Sequence, residues 1–132
     1  MTTEFLMLTL SVGLLLLLVL IQATAGVLAQ GLMPMASNRD NLPAPKTFQA
    51  RTLRVVDNHR EGLTMFAPLI LVAAVLQLSN QWTVLGAQLF FFGRLAHAVI
   101  YLAGWPIIRP LAWALSIAGT LIVLLAVLGI LA

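Results

Sequence analysis

The chain contains no cysteine. That excludes disulfide frameworks, thiolate metal sites, c-type haem attachment and a cysteine nucleophile, so any thiol chemistry must use a substrate's sulfur. Charge is also scarce: 8% of the 132 residues are Asp, Glu, Lys or Arg, against about a quarter in an ordinary soluble domain. With 61% apolar residues and a mean hydropathy of +1.05, a soluble domain is excluded. Histidine is limited to His59 and His97. They fall on different predicted helices, and no His or carboxylate pair has zinc-like spacing, so no metal is expected.

Charge is missing altogether from residues 5–38, 62–93 and 110–132, each longer than the roughly 18 residues that mark a membrane-spanning helix. The pattern predicts an all-α membrane protein of four helices, at about 5–29, 48–78, 83–104 and 110–132, in an up-down bundle. Four spans of about 20 residues leave little beyond loops, so residues 1–132 read as a single transmembrane domain. The first run has small residues (Ala23, Thr24, Ala25, Gly26) after its leucines, as a signal peptide would. However, no Lys or Arg precedes it, and it outruns an h-region of roughly 7–15 residues, so it reads as an uncleaved first helix.

The formal charge is +3, and five of the seven bases, Arg39, Lys46, Arg51, Arg54 and Arg60, cluster in and beside the first loop. By the positive-inside rule loops one and three face the cytoplasm and both termini lie opposite. Such a cluster is no nucleic-acid footprint, and no nucleic-acid partner is expected. Ala112, Ser116 and Thr120 recur at four-residue spacing on the last helix, which permits close helix packing.

At 100° per residue, Arg51, Arg54, Asn58 and Glu61 fall within about 80° of one another on the second long helix. Arg94, His97 and Tyr101 are spaced i, i+3, i+7 on the third and likewise share a face. Folding this hairpin about Asn80 and Gln81 places Glu61 and Tyr101 level, each about 30 Å from the turn, with Arg94 about 10 Å deeper. Together they predict a polar cavity open to the cytoplasmic face, floored by the Arg94 guanidinium and suited to a small anionic ligand. The plainer alternatives are interface anchoring for Arg51, Arg54 and Arg60, a solvated position for His59 and packing for His97. To these belong an aromatic-belt role for Tyr101, a loop charge at Arg109 and a structural Glu61–Arg94 ion pair.

These residues resemble the MAPEG family, the membrane-associated proteins of eicosanoid and glutathione metabolism. Two motifs carry the likeness: Arg54-x-x-x-Asn58-x-x-Glu61, after the loop Ser37-Asn38-Arg39-Asp40, and Arg94-x-x-His97-x-x-x-Tyr101. The second is similar to the microsomal glutathione transferase-like bacterial branch. The resemblance implies a homotrimer in the bacterial inner membrane, with glutathione as co-substrate, bound between subunits near the cytoplasmic face. It implies that Arg51, Arg54, Asn58, Glu61 and His97 bind glutathione and that Arg94, Tyr101 and Arg109 act in catalysis, the helix-three residues approaching from the neighbouring subunit. Gly62 stands where relatives often carry Asn or Tyr, and His97 where leukotriene-forming members carry Tyr, which argues against a leukotriene synthase.

The implied reaction is transferase or peroxidase chemistry on a lipophilic electrophile delivered from membrane lipid. A thiol of pKa near 8.5 is only a few per cent ionised at neutral pH, so stabilising the thiolate with Arg94 or Arg109 and the Tyr101 hydroxyl is useful. Two alternatives remain: a small four-helix exporter, and a non-catalytic protein of the same fold. Exporters of this size place a carboxylate in the first helix, where this chain offers only Gln22, with Glu4 read as lying outside.

Overall fold

A computed structural model describes all 132 residues and contains five helices and no strand. They are α1 (Thr3–Gln30), α2 (Leu32–Ala36), α3 (Thr47–Val75), α4 (Gln81–Ala103) and α5 (Arg109–Val127). α1, α4 and α5 are long and apolar enough to cross a membrane. α3 carries its charges in its first half, and its uncharged part from Gly62 to Val75 covers only about 21 Å at 1.5 Å per residue.

Contacts set the directions. Along α1 and α3, Gln30 donates to the Gln49 side chain (3.2 Å) and His59 Nε2 to the Ser11 carbonyl (2.8 Å). Ser79, just past α3, donates to Glu4 at 2.8 Å, so the two helices run antiparallel. Arg94 of α4 reaches Asn58 of α3, and Arg109 of α5 lies over Tyr101 of α4, which makes the bundle up-down throughout. One end therefore gathers the basic residues, and the other gathers Glu4, the α3–α4 turn and Ala132.

α1 buries one narrow stripe, Glu4, Met7, Ser11, Leu14 and Leu18, while Leu16, Leu17 and Leu20 beside it stay exposed. Only part of the Leu14–Leu18 run thus faces outward. Phe66 and Phe90 stack at 3.9 Å in the centre of the main core. α4 packs most extensively on α5 along the small-residue stripe: Ala112, Ser116, Gly119, Thr120 and Val123 are all buried. A Cβ on Gly93 would sit 2.8 Å from the Ser116 nitrogen, so the helices touch backbone to backbone, as the spacing predicts.

Four features differ from the sequence reading, the largest being that α5 ends at Val127 rather than 132, where Gly129 takes φ 73° and the Ile130 N–H folds back to the Leu125 carbonyl at 2.9 Å. α3 ends at Val75 rather than near 78, because Gln77 takes φ 54° and the Leu78 N–H folds back to the Ala73 carbonyl at 2.8 Å. Helix α4 then starts on a capping box between Asn80 and Thr83, which assigns Gln81 and Trp82 to the helix instead of the turn. α2 lies inside the expected loop and tucks Met35 against Gly26.

Candidate functional site

The two predicted stripes meet at the basic end. Arg54, Asp57, Asn58 and Glu61 of α3, His97 and Tyr101 of α4, and Arg109 and Trp113 of α5 line a cavity of about 440 Å³. A second cavity of about 310 Å³ shares Arg54, Tyr101 and Arg109 and adds Arg51. Gly104 shapes this lobe. It ends α4 in the left-handed region at φ 75°, and a Cβ there would lie 2.6 Å from the Arg51 guanidinium, which rests on the bare backbone. The following loop turns at Ile107, also left-handed at φ 74°, and delivers Arg109 to the first turn of α5.

Across these two adjoining cavities the charges are sorted. Arg51, Arg54 and Arg109 supply fixed positive charge, Glu61 and Asp57 negative charge, and Asn58 and the Tyr101 hydroxyl neutral hydrogen-bonding groups. Asp57 pairs with Arg60 on the same helix face. Glu61 makes no such pair and stays exposed at the cavity wall. The His97 ring is 2% exposed and meets Tyr101 edge-on at 5.4 Å. Arg109 Cζ lies 4.7 Å from the centroid of the Tyr101 ring, within cation–π range.

Arg94 is placed otherwise than expected. It is 2% exposed and does not line the cavity. Its Nη1 donates to the Asn58 carbonyl (3.1 Å) and Oδ1 (2.5 Å), and its guanidinium lies flat against Gly62, where a Cβ would collide with it. Arg94 keeps its offset of about 10 Å from Tyr101 along α4, but Glu61 and Tyr101 do not come out level, because the hairpin folds near Leu78, not at Asn80 and Gln81. With Leu76–Asn80 outside both helices, Gly62 and Arg94 are equidistant from the turn and come out level. The Glu61–Arg94 ion pair is not formed, since Asn58 takes the guanidinium instead. Within one chain, α3, α4 and α5 all contribute residues to this site.

Two residues read as solvated or outside are buried. His59 is 1% exposed; with Nε2 donating to the Ser11 carbonyl at 2.8 Å, its Nδ1 is left buried without a partner. The signal was present, since His59 continues the buried positions Thr52, Val55, Val56, Leu63 and Phe66 at helical spacing and not the polar stripe. His59→Ala should cost about 2 kcal/mol through the lost tie to α1 and the space left behind. Thermal unfolding in detergent checks this, and an unchanged midpoint would contradict it. Glu4 is 5% exposed and accepts hydrogen bonds from Ser79 (2.8 Å) and Thr83 (2.6 Å). The first helix therefore does contain a buried carboxylate.

The MAPEG family pattern matches residues 5–129. No curated protein and no solved structure matches the chain. The family match spans nearly the whole sequence, including both polar motifs, and agrees with an all-helical bundle with three helices apolar enough to span a bilayer: this membrane protein belongs to the MAPEG family.

Proposed function

We propose that the protein binds glutathione in the cavity between α3, α4 and α5 and activates its thiol toward lipophilic electrophiles. The observation that carries this reading is the sorting of charge around two adjoining cavities that share Arg54, Tyr101 and Arg109. Glutathione presents two carboxylates, one ammonium and a thiol, and the wall offers Arg51 and Arg54 to the carboxylates and Glu61 to the ammonium. The thiol is left for Tyr101 and Arg109, which already lie together. A fixed cation beside the sulfur favours the thiolate, and lowering its pKa by about two units corresponds to roughly 2.7 kcal/mol. The thiolate then adds to the carbon of an activated double bond, the resulting carbanion taking up a proton to leave a thioether, or it attacks a hydroperoxide oxygen and breaks the O–O bond, releasing an alcohol and glutathione sulfenic acid, which a second glutathione converts to glutathione disulfide and water.

The membrane arrangement belongs to the same proposal. α3 forms the fourth span, its charged first half standing in the interface and its apolar half crossing the lipid beside α1 and α4. The basic loops face the cytoplasm, three subunits assemble into a trimer, and crosslinking that stops at dimers would refute that assembly.

The test is thermal unfolding of the detergent-purified protein against glutathione concentration. At about 100 times its dissociation constant a specific ligand stabilises by roughly 2.7 kcal/mol. The expected result is a saturable rise in the midpoint that the Arg54→Ala, Glu61→Gln double variant loses. No rise at millimolar glutathione would refute the site. An exporter gains a buried carboxylate in α1 from the position of Glu4, but Glu4 and the Glu61 cavity stand at opposite ends of the bundle and line separate cavities.

A further inference from the structure

The glutathione reading leaves Glu4 unused. This carboxylate sits in the first turn of α1, at the end of the bundle opposite the basic cluster. Both hydroxyl donors, Ser79 and Thr83, go to Oε1, while Oε2 is buried with no partner. No arginine or lysine comes near it: along the helices that meet it, the first bases are Arg60 and Arg94, in the half of the bundle that holds the polar cavity. The start of α1 and the capped start of α4 meet at this carboxylate. A buried carboxylate with a free oxygen and no cation is costly.

Beside it lies a cavity of about 220 Å³, lined by Thr2, Glu4, Gln77 and Ser79 together with apolar Phe5 and Ile70. The wall contains one carboxylate and three neutral polar side chains, and no three His, Asp or Glu side chains converge there. A hard metal ion needs six or more oxygen ligands. A primary ammonium needs an acceptor for each of three N–H groups, which Glu4, Gln77 and a hydroxyl or carbonyl can supply. The volume exceeds that of a bare ion and accommodates a short carbon arm against Phe5 and Ile70. Trp82 lies at the same end, its Nε1 donating to the Ala132 carbonyl at 3.1 Å, the position of an interfacial aromatic.

We propose that this cavity is a binding site for a protonated primary amine that pairs with the Glu4 carboxylate, a turn of that side chain bringing the unpartnered Oε2 to the cavity wall, with the ethanolamine headgroup of a phospholipid or a free alkylamine as the source. Charge-assisted N–H donation to Oε2 gives the site its selectivity. A trimethylammonium group has the same charge and no N–H, so it cannot satisfy that oxygen.

The experiment measures the unfolding midpoint of the detergent-purified protein against short-chain phosphatidylethanolamine, its N-trimethylated phosphatidylcholine counterpart, and free ethanolamine. The expected result is a saturable rise with phosphatidylethanolamine at an apparent Kd about tenfold lower than with phosphatidylcholine. Free ethanolamine raising the midpoint as effectively as the lipid identifies a soluble amine as the source; a response to the lipid alone identifies the headgroup. Glu4→Gln keeps an oxygen for Ser79 and Thr83 and should erase the selectivity. Ala74→Leu, which fills the cavity without touching those hydrogen bonds, should erase it too and guards against a folding defect in the first variant. Equal response to the two lipids, or selectivity that survives both substitutions, overturns the proposal.

Discussion

Gly119→Ala should lower stability by about 3 kcal/mol, at the upper end of ordinary overpacking costs, although alanine is the better helix former by up to about 1 kcal/mol. The added Cβ would lie 2.5 Å from the Gly86 carbonyl oxygen and 2.6 Å from the Phe90 nitrogen. Both are backbone atoms inside α4, so no rotamer change relieves the clash and the helices must separate. That separation loosens Val123 and Phe90, which are 0% exposed in the main core. Gly86→Ala meets the Gly119 carbonyl at 2.7 Å from the other side, so the double variant should cost less than the sum of the singles. Gly13 provides the internal control. A Cβ there meets nothing within 4 Å, and Gly13→Ala should leave the protein as stable or slightly more so. If Gly119→Ala unfolded at the same temperature as Gly13→Ala, the close α4–α5 packing would be wrong.

The helices and the content of the site were legible because both follow from periodicity. Arg54, Asn58 and Glu61 share a face by arithmetic alone, as do His97 and Tyr101, and the structure brings these faces to one cavity. What periodicity cannot supply is register between helices. Which α3 residue stands level with Arg94 depended on where α3 ends, and that end is set by Gln77 adopting a left-handed conformation and by the Asn80–Thr83 cap, local choices that an apolar run of leucines and valines does not announce. Long-range pairing was equally hidden. Glu4 is separated from Ser79 and Thr83 by most of the chain, and the carbonyl that receives His59 belongs to Ser11 in an otherwise apolar helix. A polar residue at the edge of an apolar run reads as solvated until its partner is known. Gly62 shows the same limit: only with Arg94 in place is its missing side chain seen as the space the guanidinium occupies.

Removing Arg109 and removing Arg94 should fail in different ways. Arg109 lines the cavity and lies over the Tyr101 ring. Its loss withdraws the positive charge proposed to face the sulfur while leaving Arg54, Asn58 and Glu61 in place. Arg109→Ala should therefore raise the pKa of bound glutathione by about two units and slow turnover roughly 100-fold, with little change in glutathione affinity. The ultraviolet absorbance of the thiolate at saturating glutathione, titrated with pH, reads this directly. Arg94 does not reach the cavity; it holds Asn58 by two hydrogen bonds and fills the space over Gly62. Arg94→Ala frees the Asn58 side chain and opens a void beside Glu61, so it should weaken glutathione binding at least about tenfold and lower the unfolding midpoint. The thiolate that does form at saturation should keep its pKa. Gly62→Ala should reproduce the Arg94→Ala pattern with the arginine still present, because the new Cβ takes the place of the guanidinium. The opposite pairing of outcomes, a collapsed thiolate signal in Arg94→Ala and an intact one in Arg109→Ala, would place the sulfur deeper in the bundle and assign it to Arg94.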